Sequence, residues 1–556
     1  MQDYEKSVWF LGTWGRFQRR VFVLLCLMAV PCGYNLLSII FLLATPPHHC
    51  HVPAHWNISQ DWIQASIPVQ VTGKPERSGC SRYQLDRVQN LSWGGSGPEA
   101  VLSTLPQEDC KDGWIYSNEH YQSTIATEFD LVCGDSWKQP FTSVVYFLGG
   151  LCGCFISGQL SDRFGRKPVV FGATVVLSVF SCAVASAPSW PVFLGLYFVM
   201  GMGQIACYII VFVLGSEILL GSSRVLFSTL FLPCVSVLSV SLLPVTAYLV
   251  RDWRHLSLIM AVPGLACIPL WWQVPESPRW LASRGRWAEA ELLLRSAALE
   301  NGVKPPHSIF HSAGVEEEAS KKSLSFLDLL RTSNIRYISL ILWVVWFSLS
   351  LSTIGLSFNM SNLYGSPHLN YFLATVVEIP AYITSWLLAS RFSRRLSFMG
   401  FTLLGALALH LILVTPSDLP AITLSLVLLG KYGITVGIAM SYMHTGELSP
   451  TVIRNTAMSS CATFSRLGCS VSPYLMQLAA FNEFLPWIVV GSLSLLSVLL
   501  YVFLPDTFRK PLPDTIEEMG RIQRLRWPWT SSSSPKDGKS IMNEAIGPEI
   551  LCTTHL

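Results

Sequence analysis

The sequence predicts an all-α membrane protein of twelve spans, built as two pseudo-symmetric six-helix bundles with one large glycosylated outer loop. Three observations carry that prediction. Only 13% of the 556 residues are charged while 51% are hydrophobic, whereas a soluble domain carries about 25% charged residues. Apolar runs of roughly 20 residues, enough to cross about 30 Å of hydrocarbon, recur along the whole chain. A set of charged motifs then reappears in the second half at nearly constant spacing. The mean hydropathy of +0.43 agrees with the first observation. A formal charge of +3 is too small to argue for a nucleic-acid partner, so the lipid bilayer is the main surrounding.

The stretch 1–20 is basic and polar, and the first apolar run covers 21–43. That run exceeds the roughly 7–15 residues of a signal-peptide core and lacks a clean small-residue cleavage site, so it reads as a span. Residues 44–139 form the long polar loop. Runs near 141–161, 168–187, 190–212, 226–249 and 255–274 complete the first bundle within 141–274. A polar helical loop over 275–336 follows, in which Glu316 to Glu318 and Lys321–Lys322 suit short surface helices. The second bundle fills 337–504, with runs near 337–358, 369–390, 397–414, 419–442, 457–479 and 484–504. Residues 505–556 are a polar tail.

Lysines and arginines orient such a chain, because short cytoplasmic loops carry the excess. Lys6, Arg16, Arg19 and Arg20 precede the first span, and Arg163, Arg166 and Lys167 follow the second. Arg279, Arg284 and Arg286 follow the sixth; Arg391, Arg394 and Arg395 follow the eighth. With twelve spans all of these share one side. Both termini are then cytoplasmic in a multi-pass plasma-membrane protein, and 44–139 lies outside.

The loop's own residues fit the exterior. Asn57-Ile58-Ser59 and Asn90-Leu91-Ser92 are glycosylation acceptors. Cys50, Cys80, Cys110 and Cys133 form the even set expected of a disulfide-stapled module in an oxidising compartment. Four cysteines allow three pairings, and all three stay open. The other eleven of the 15 cysteines read as small buried apolar residues. Asn359-Met360-Ser361 is a third acceptor triplet, too near the membrane for modification to be expected.

Comparison of the halves gives the most informative pattern. Asp162-Arg163-Phe164-Gly165-Arg166 follows span two, and Ser390-Arg391-Phe392-Ser393-Arg394 follows span eight, 228 positions later. Glu217 with Arg224 follows span four, and Glu447 with Arg454 follows span ten, 230 positions later. Glu276 with Arg279 follows span six, and Asp506 with Arg509 follows span twelve, again at 230. The physical reading is a ring of acid–arginine pairs that locks the cytoplasmic ends of the two bundles and breaks when the conformation changes. Topology signals alone would explain the arginines but not the matched acids.

These motifs resemble the major facilitator superfamily and, more narrowly, solute carrier family 22. The likeness rests on Gly158 to Lys167, on Pro275-Glu276-Ser277-Pro278-Arg279-Trp280 and on the cysteine-bearing first loop. Within that family the chain is most similar to the novel organic cation/carnitine transporter branch. Asp3-Tyr4, Phe10-Leu11-Gly12, Phe17-Gln18-Arg19, Gly201 to Ile205, Leu327 to Thr332, Ser465 to Gly468 and Leu512 to Ile516 carry that match. The resemblance implies the major facilitator fold and alternating access for carnitine-like zwitterions and organic cations. A sodium-independent, polyspecific organic anion/cation transporter is the other reading it allows. It implies no cofactor beyond a sodium ion as the coupling ion.

Three departures bear on the solute. Where the branch carries a Gly-Lys-Ser, this chain has Gly221-Ser222-Ser223, without the lysine or the glycine spacing of a phosphate loop. Where the branch carries Ser-Asn-Tyr, its asparagine tied to sodium dependence, this chain has Ala206-Cys207-Tyr208. His444-Thr445-Gly446-Glu447-Leu448-Ser449-Pro450 replaces a Tyr-Thr-Ala-Glu-Leu-Tyr-Pro run. No metal-ligand cluster, nucleophile elbow or phosphate loop is present, so an enzyme is not expected.

Ionisable groups inside spans are costly and mark functional sites. Glu378 in span eight, Lys431 in span ten and Arg466 in span eleven offer one anion and two cations to a central site for a small charged organic solute. Glu378 and the rings of Tyr208, Trp343, Trp346, Tyr382 and Tyr442 suit an ammonium group. Arg466 or Lys431 suits a carboxylate. By family comparison an arginine at the position of Arg466 goes with anion and carnitine-type members, an aspartate with cation carriers. The plainer alternatives are a structural Glu378–Lys431 pair and ordinary packing of the aromatics. His410 and His444 fit helix-bridging donors better than a proton relay. The terminal Thr554-His555-Leu556 suits capture by a PDZ domain.

Overall fold

The computed structural model describes residues 7–56, 58–70, 76–93, 105–307, 309, 332–416, 419–450, 453–479, 482 and 484–508. Asn57, Lys321, Lys322, Arg509 and Thr554 to Leu556 lie outside them. Among the described residues ten helices are long and apolar enough to cross a membrane. In chain order the first bundle comprises α1 (Arg16–Leu42), α2 (Lys138–Phe164), α3 (Arg166–Val184), α4 (Trp190–Ile218), α5 (Gly221–Leu249) and α6 (Trp253–Trp272). The second comprises α7 (Ser333–Asn359), α8 (Pro367–Ala389), α9 (Arg394–Val414), α10 (Pro420–Leu448), α11 (Arg454–Val471) and α12 (Leu485–Tyr501). The expected runs and these helices coincide within a few residues for most spans.

The last two helices are not among those ten, for different reasons. α12 is apolar but spans only 17 residues. α11 is rich in serine and packs against both α7 of its own bundle and α2 of the other, a setting in which a charge such as Arg466 can stand in mid-helix. It also stops earlier than the expected 479. Pro473 lacks an N–H and disfavours helix in the residue before it, so a separate turn, Tyr474–Leu478, follows.

Helix packing repeats between the bundles. In the first, α4 packs on α1, α2 and α3, α5 on α1, and α6 on α1 and α3. In the second, α10 packs on α7, α8 and α9, α11 on α7, and α12 on α7 and α9. Each contact in one list has its counterpart six helices later. Between the bundles, α5 packs on α8 and α2 on α11, pairs that the same six-helix shift exchanges. The architecture is thus a two-fold repeat, as the sequence offsets require. Small residues make the closest approaches, as usual where lipid removes the hydrophobic drive. A Cβ at Gly149 of α2 would stand 2.1 Å from the Phe198 carbonyl oxygen of α4.

The outer loop forms a module of three two-stranded antiparallel sheets. β1 (His48–Cys50) pairs with β6 (Trp114–Tyr116), β2 (Val69–Gln70) with β3 (Glu76–Arg77), and β4 (Ser81–Tyr83) with β5 (Gln107–Asp109). Disulfides join Cys50 to Cys110 and Cys80 to Cys133, which selects one of the three pairings. The buried Arg82 ties the strands, donating to Glu108 Oε1 at 3.1 Å, Asp112 Oδ2 at 2.6 Å and the His51 carbonyl at 2.6 Å. Burial works against the Glu108 charge, but hydrogen bonds from Lys111 and Arg82 hold its carboxyl below the usual range. Asn90, on the short helix Leu85–Trp93, is exposed. Asn359 is buried.

The module is seated on the first bundle. The N–H groups of Gln122 and Ser123 donate to the Arg251 carbonyl at 3.0 and 3.3 Å. Glu128 accepts from Trp253 Nε1 at 2.7 Å and pairs with Arg254.

Candidate functional site

The three ionisable residues in the spans divide into a pair and a single charge. Pro380 cannot donate to the Val376 carbonyl and its ring crowds that group, so α8 breaks at Val377 and restarts at Glu378. Glu378 Oε1 lies 2.9 Å from Lys431 Nζ of α10. Lys431 is fully buried and also donates to Ser357 Oγ of α7 at 2.9 Å. Of the two readings left open by the sequence, the inter-helix pair is formed. Ser357 is its unforeseen third member, one serine among several in α7 with nothing in the sequence to single it out.

Arg466 differs. It is partly buried on α11, and among the described residues no acceptor or carboxylate lies within bonding range of its guanidinium. Its charge acts on the hydroxyls of Tyr146, Tyr208 and Tyr442 and on the Cys154 thiol. Those groups come from α2, α4 and α10, so Arg466 faces the space between the bundles. Tyr442 is 46% exposed although its ring packs edge-on against Trp346 at 4.2 Å. With Arg466 and Tyr208 as neighbours, that exposure is to interior space rather than lipid. Tyr382 of α8 faces Glu378, Tyr208 and Tyr442. Four expected residues, Tyr208, Tyr382, Tyr442 and Arg466, therefore converge, with the Glu378–Lys431 pair behind Tyr382.

The two tryptophans stand apart from that group. Trp343 is buried, donates to Ser460 Oγ at 2.9 Å and stacks on Phe464 at 4.8 Å. Trp346 is also buried, donates to Thr445 Oγ1 at 3.2 Å and reaches the site only through Tyr442. Both indoles have their N–H satisfied by helices of their own bundle.

The repeated acid–arginine motifs form two clusters of matching design. Arg166 grips Glu217 with two nitrogens, at 3.1 and 3.0 Å, and meets Asp162 Oδ1 at 2.8 Å and the Ser161 carbonyl at 2.7 Å. In the second bundle Arg394 pairs with Glu447 Oε1 at 3.1 Å and donates to the Ala389 carbonyl. Arg224 donates to the Leu219 carbonyl at 3.0 Å and Arg454 to the Ser449 carbonyl at 3.3 Å. Glu276 caps the start of α3, accepting from the N–H groups of Arg166 and Lys167 at 3.0 and 3.2 Å. Asp506 instead accepts from Ser393 Oγ at 2.7 Å. A Cβ at Gly165 would sit 2.5 Å from Glu276 Oε2, so glycine admits that carboxylate, whereas Ser393 at the equivalent position donates its hydroxyl to Asp506.

The Arg166–Asp162, Arg166–Glu217, Arg394–Glu447 and Lys431–Glu378 pairs each join residues of one bundle, so these pairs brace each bundle from within. Equivalent residues of a two-fold repeat occupy different bundles by construction, and Glu217 and Glu447 are each gripped by the arginine of their own copy. Arg163 and Arg391 are exposed, the former over the Phe164 ring at 5.4 Å. Arg279 is partly buried and has no ion-pair partner among the described residues.

Of the two histidines expected to bridge helices, His444 does so and His410 bonds within its own helix. His444 is buried between Tyr501 Oη at 2.7 Å and the Pro505 carbonyl at 3.0 Å. His410 Nδ1 meets the Ala406 carbonyl at 2.8 Å.

Comparison with known proteins accords with this geometry. Residues 100–519 match the family model described as sugar (and other) transporter. The chain is 43% identical over 546 residues to human organic cation/carnitine transporter 2, covering 97% of this chain and 98% of that protein. It is 42% identical to mouse solute carrier family 22 member 4, covering 95% and 96%. The Drosophila melanogaster organic cation transporter protein is 32% identical, with 93% and 94% covered. Among solved structures, the inward-open xylose transporter XylE from E. coli superposes with a TM-score of 0.59 at 15% identity, covering 91% of this chain and all of that one. At that identity the likeness speaks to the fold alone.

Proposed function

The chain belongs to the sugar (and other) transporter family, on its solute carrier family 22 branch, and from that premise we propose a plasma-membrane carrier of carnitine-like zwitterions and organic cations working by alternating access. The observation that carries the reading is the Arg466 guanidinium, uncompensated among the described residues and facing Tyr208 and Tyr442 between the two bundles. A guanidinium grips both oxygens of a carboxylate. An ammonium group on the same solute finds the faces of Tyr208, Tyr382 and Tyr442, each worth about 0.5–2 kcal/mol when desolvated. Glu378, held by Lys431, places a negative charge beside Tyr382. Rocking of the braced bundles about this fixed site gives alternating access.

The loop arginines and the disulfide module support cytoplasmic termini, with Asn57 and Asn90 on the extracellular side. Thr554-His555-Leu556 is proposed as a PDZ ligand, and sodium as the coupling ion. A second reading has its own observation: with Glu378 neutralised by Lys431, the site carries a net positive charge, which favours a sodium-independent carrier of organic anions.

Uptake of radiolabelled carnitine by expressing cells tests the proposal, in sodium buffer and again with sodium replaced by N-methylglucamine. Saturable uptake above vector-transfected cells is expected, and a fall on replacement identifies sodium as coupled. Absence of carnitine uptake beside strong uptake of a carboxylate without an ammonium group would overturn the proposal in favour of the second reading.

A further inference from the structure

At the end of the molecule that carries the disulfide module, the two bundles meet through rings. His368, the second residue of α8, enters a cup on the first bundle. Phe41 of α1 stacks on it at 5.4 Å, Tyr121 of the module lies at 5.3 Å, and Tyr248 of α5 meets its edge at 5.8 Å. One turn further along α8, Tyr371 meets the same Phe41 edge-on at 5.2 Å. The cup is tied to the first bundle, because Gln122 and Ser123, next to Tyr121, are bonded to Arg251 just past α5.

The chemistry of the contact is unusual for a permanent interface. His368 is 5% exposed, yet among the described residues neither ring nitrogen has a protein partner, and the buried Tyr371 hydroxyl lacks one as well. Buried polar groups are ordinarily satisfied, and each one that is not costs free energy. Three such atoms at one seam make it easy to part, since opening hydrates all of them. The ionisable groups facing His368 are His120 and Tyr121 from the module and Tyr248 and Arg251 from the α5 end. Phe41 is what α1 presents, and Tyr371 lies on the same helix as His368. Glu119 is exposed and Asp252 caps α6 through the N–H groups of Arg254 and His255, so neither offers His368 a counter-charge. An imidazolium in this cup is desolvated and repelled by Arg251.

We propose that His368 is the latch of the extracellular gate, neutral when seated in the Phe41–Tyr121–Tyr248 cup, and that a proton taken up from outside expels it and shifts the carrier toward its outward-open state. This rests on the orientation proposed above.

The test uses the full-length transporter on intact cells and a membrane-impermeant methanethiosulfonate reagent aimed at Cys154, which lies near Arg466 between the bundles. Cys154→Ser supplies the background, and surface biotinylation normalises each variant. His368→Ala is expected to raise the labelling rate about tenfold. His368→Phe, which refills the cup with an apolar ring, should label no faster than wild type. As external pH falls from 7.4 to 5.5, the ratio of wild-type to His368→Phe rates should rise severalfold; the ratio cancels the effect of pH on the thiolate itself. A wild-type rate in His368→Ala, or a ratio flat with pH, overturns the latch. If the orientation is reversed, the effect of His368→Ala appears in inside-out vesicles instead, which separates that failure from failure of the latch.

Discussion

Replacing Arg466 with alanine is expected to lower uptake of carboxylate-bearing solutes by roughly tenfold to a hundredfold, while a purely cationic solute such as tetraethylammonium is spared. The magnitude follows from losing hydrogen bonds to a charged group, about 1.5–3 kcal/mol, at about tenfold per 1.4 kcal/mol. The selectivity follows from geometry. With no protein carboxylate bound to it among the described residues, removal of the guanidinium strands no buried anion and leaves the packing of α11 on α7 in place. Initial rates of uptake for the two solutes, at matched surface expression, check the expectation. Equal loss of both would make Arg466 a structural residue.

Lys431→Met is expected to act on stability first. Glu378 then keeps its charge inside the membrane with its cation removed, and breaking a buried pair from one side costs about 3–5 kcal/mol. Against a total stability of about 5–15 kcal/mol, that is a large fraction, so the detergent-solubilised protein should unfold at a clearly lower temperature and reach the surface poorly. Removing both charges, as Lys431→Met with Glu378→Gln, should restore most of the thermal stability, because an apolar and a neutral polar group leave no charge uncompensated. Thermal unfolding followed by size-exclusion chromatography compares the three proteins. A double variant no more stable than the single one would show that the pair does not carry the effect.

Much of the fold was legible because lipid constrains the chain so strongly. A span must be apolar over about 30 Å, so the run at 190–212 announces α4 and the run at 337–358 announces α7. The offsets of 228 and 230 announced the two-fold repeat, which the α5–α8 and α2–α11 contacts express in space. What was illegible depended on side-chain direction and on which copy meets which. The cysteine count allowed three pairings, and only the folded module, with Cys50 joined to Cys110 and Cys80 to Cys133, decides among them. The offsets identified Arg166 and Arg394 as equivalent but could not say that each grips the acid of its own bundle.

The candidate site was partly legible in the same sense. Arg466, Tyr208, Tyr382 and Tyr442 stood out as charges and rings inside spans, and they converge. Trp343 stood out for the same reason and packs elsewhere, because hydropathy says nothing about which face of α7 a ring occupies. His368 gave no signal at all. It follows a proline at the start of a span, where a polar residue is ordinary, and only the approach of Phe41, Tyr121 and Tyr248 from the other bundle gives it meaning.

Counterflow in liposomes reconstituted with purified protein tests the central claim most directly. Vesicles loaded with unlabelled carnitine are diluted into a trace of radiolabelled carnitine, and the label inside is followed with time. The account predicts a transient overshoot for the wild-type protein, lost in Arg466→Ala, with tetraethylammonium counterflow retained in both. Carnitine counterflow at the wild-type rate in Arg466→Ala would contradict it.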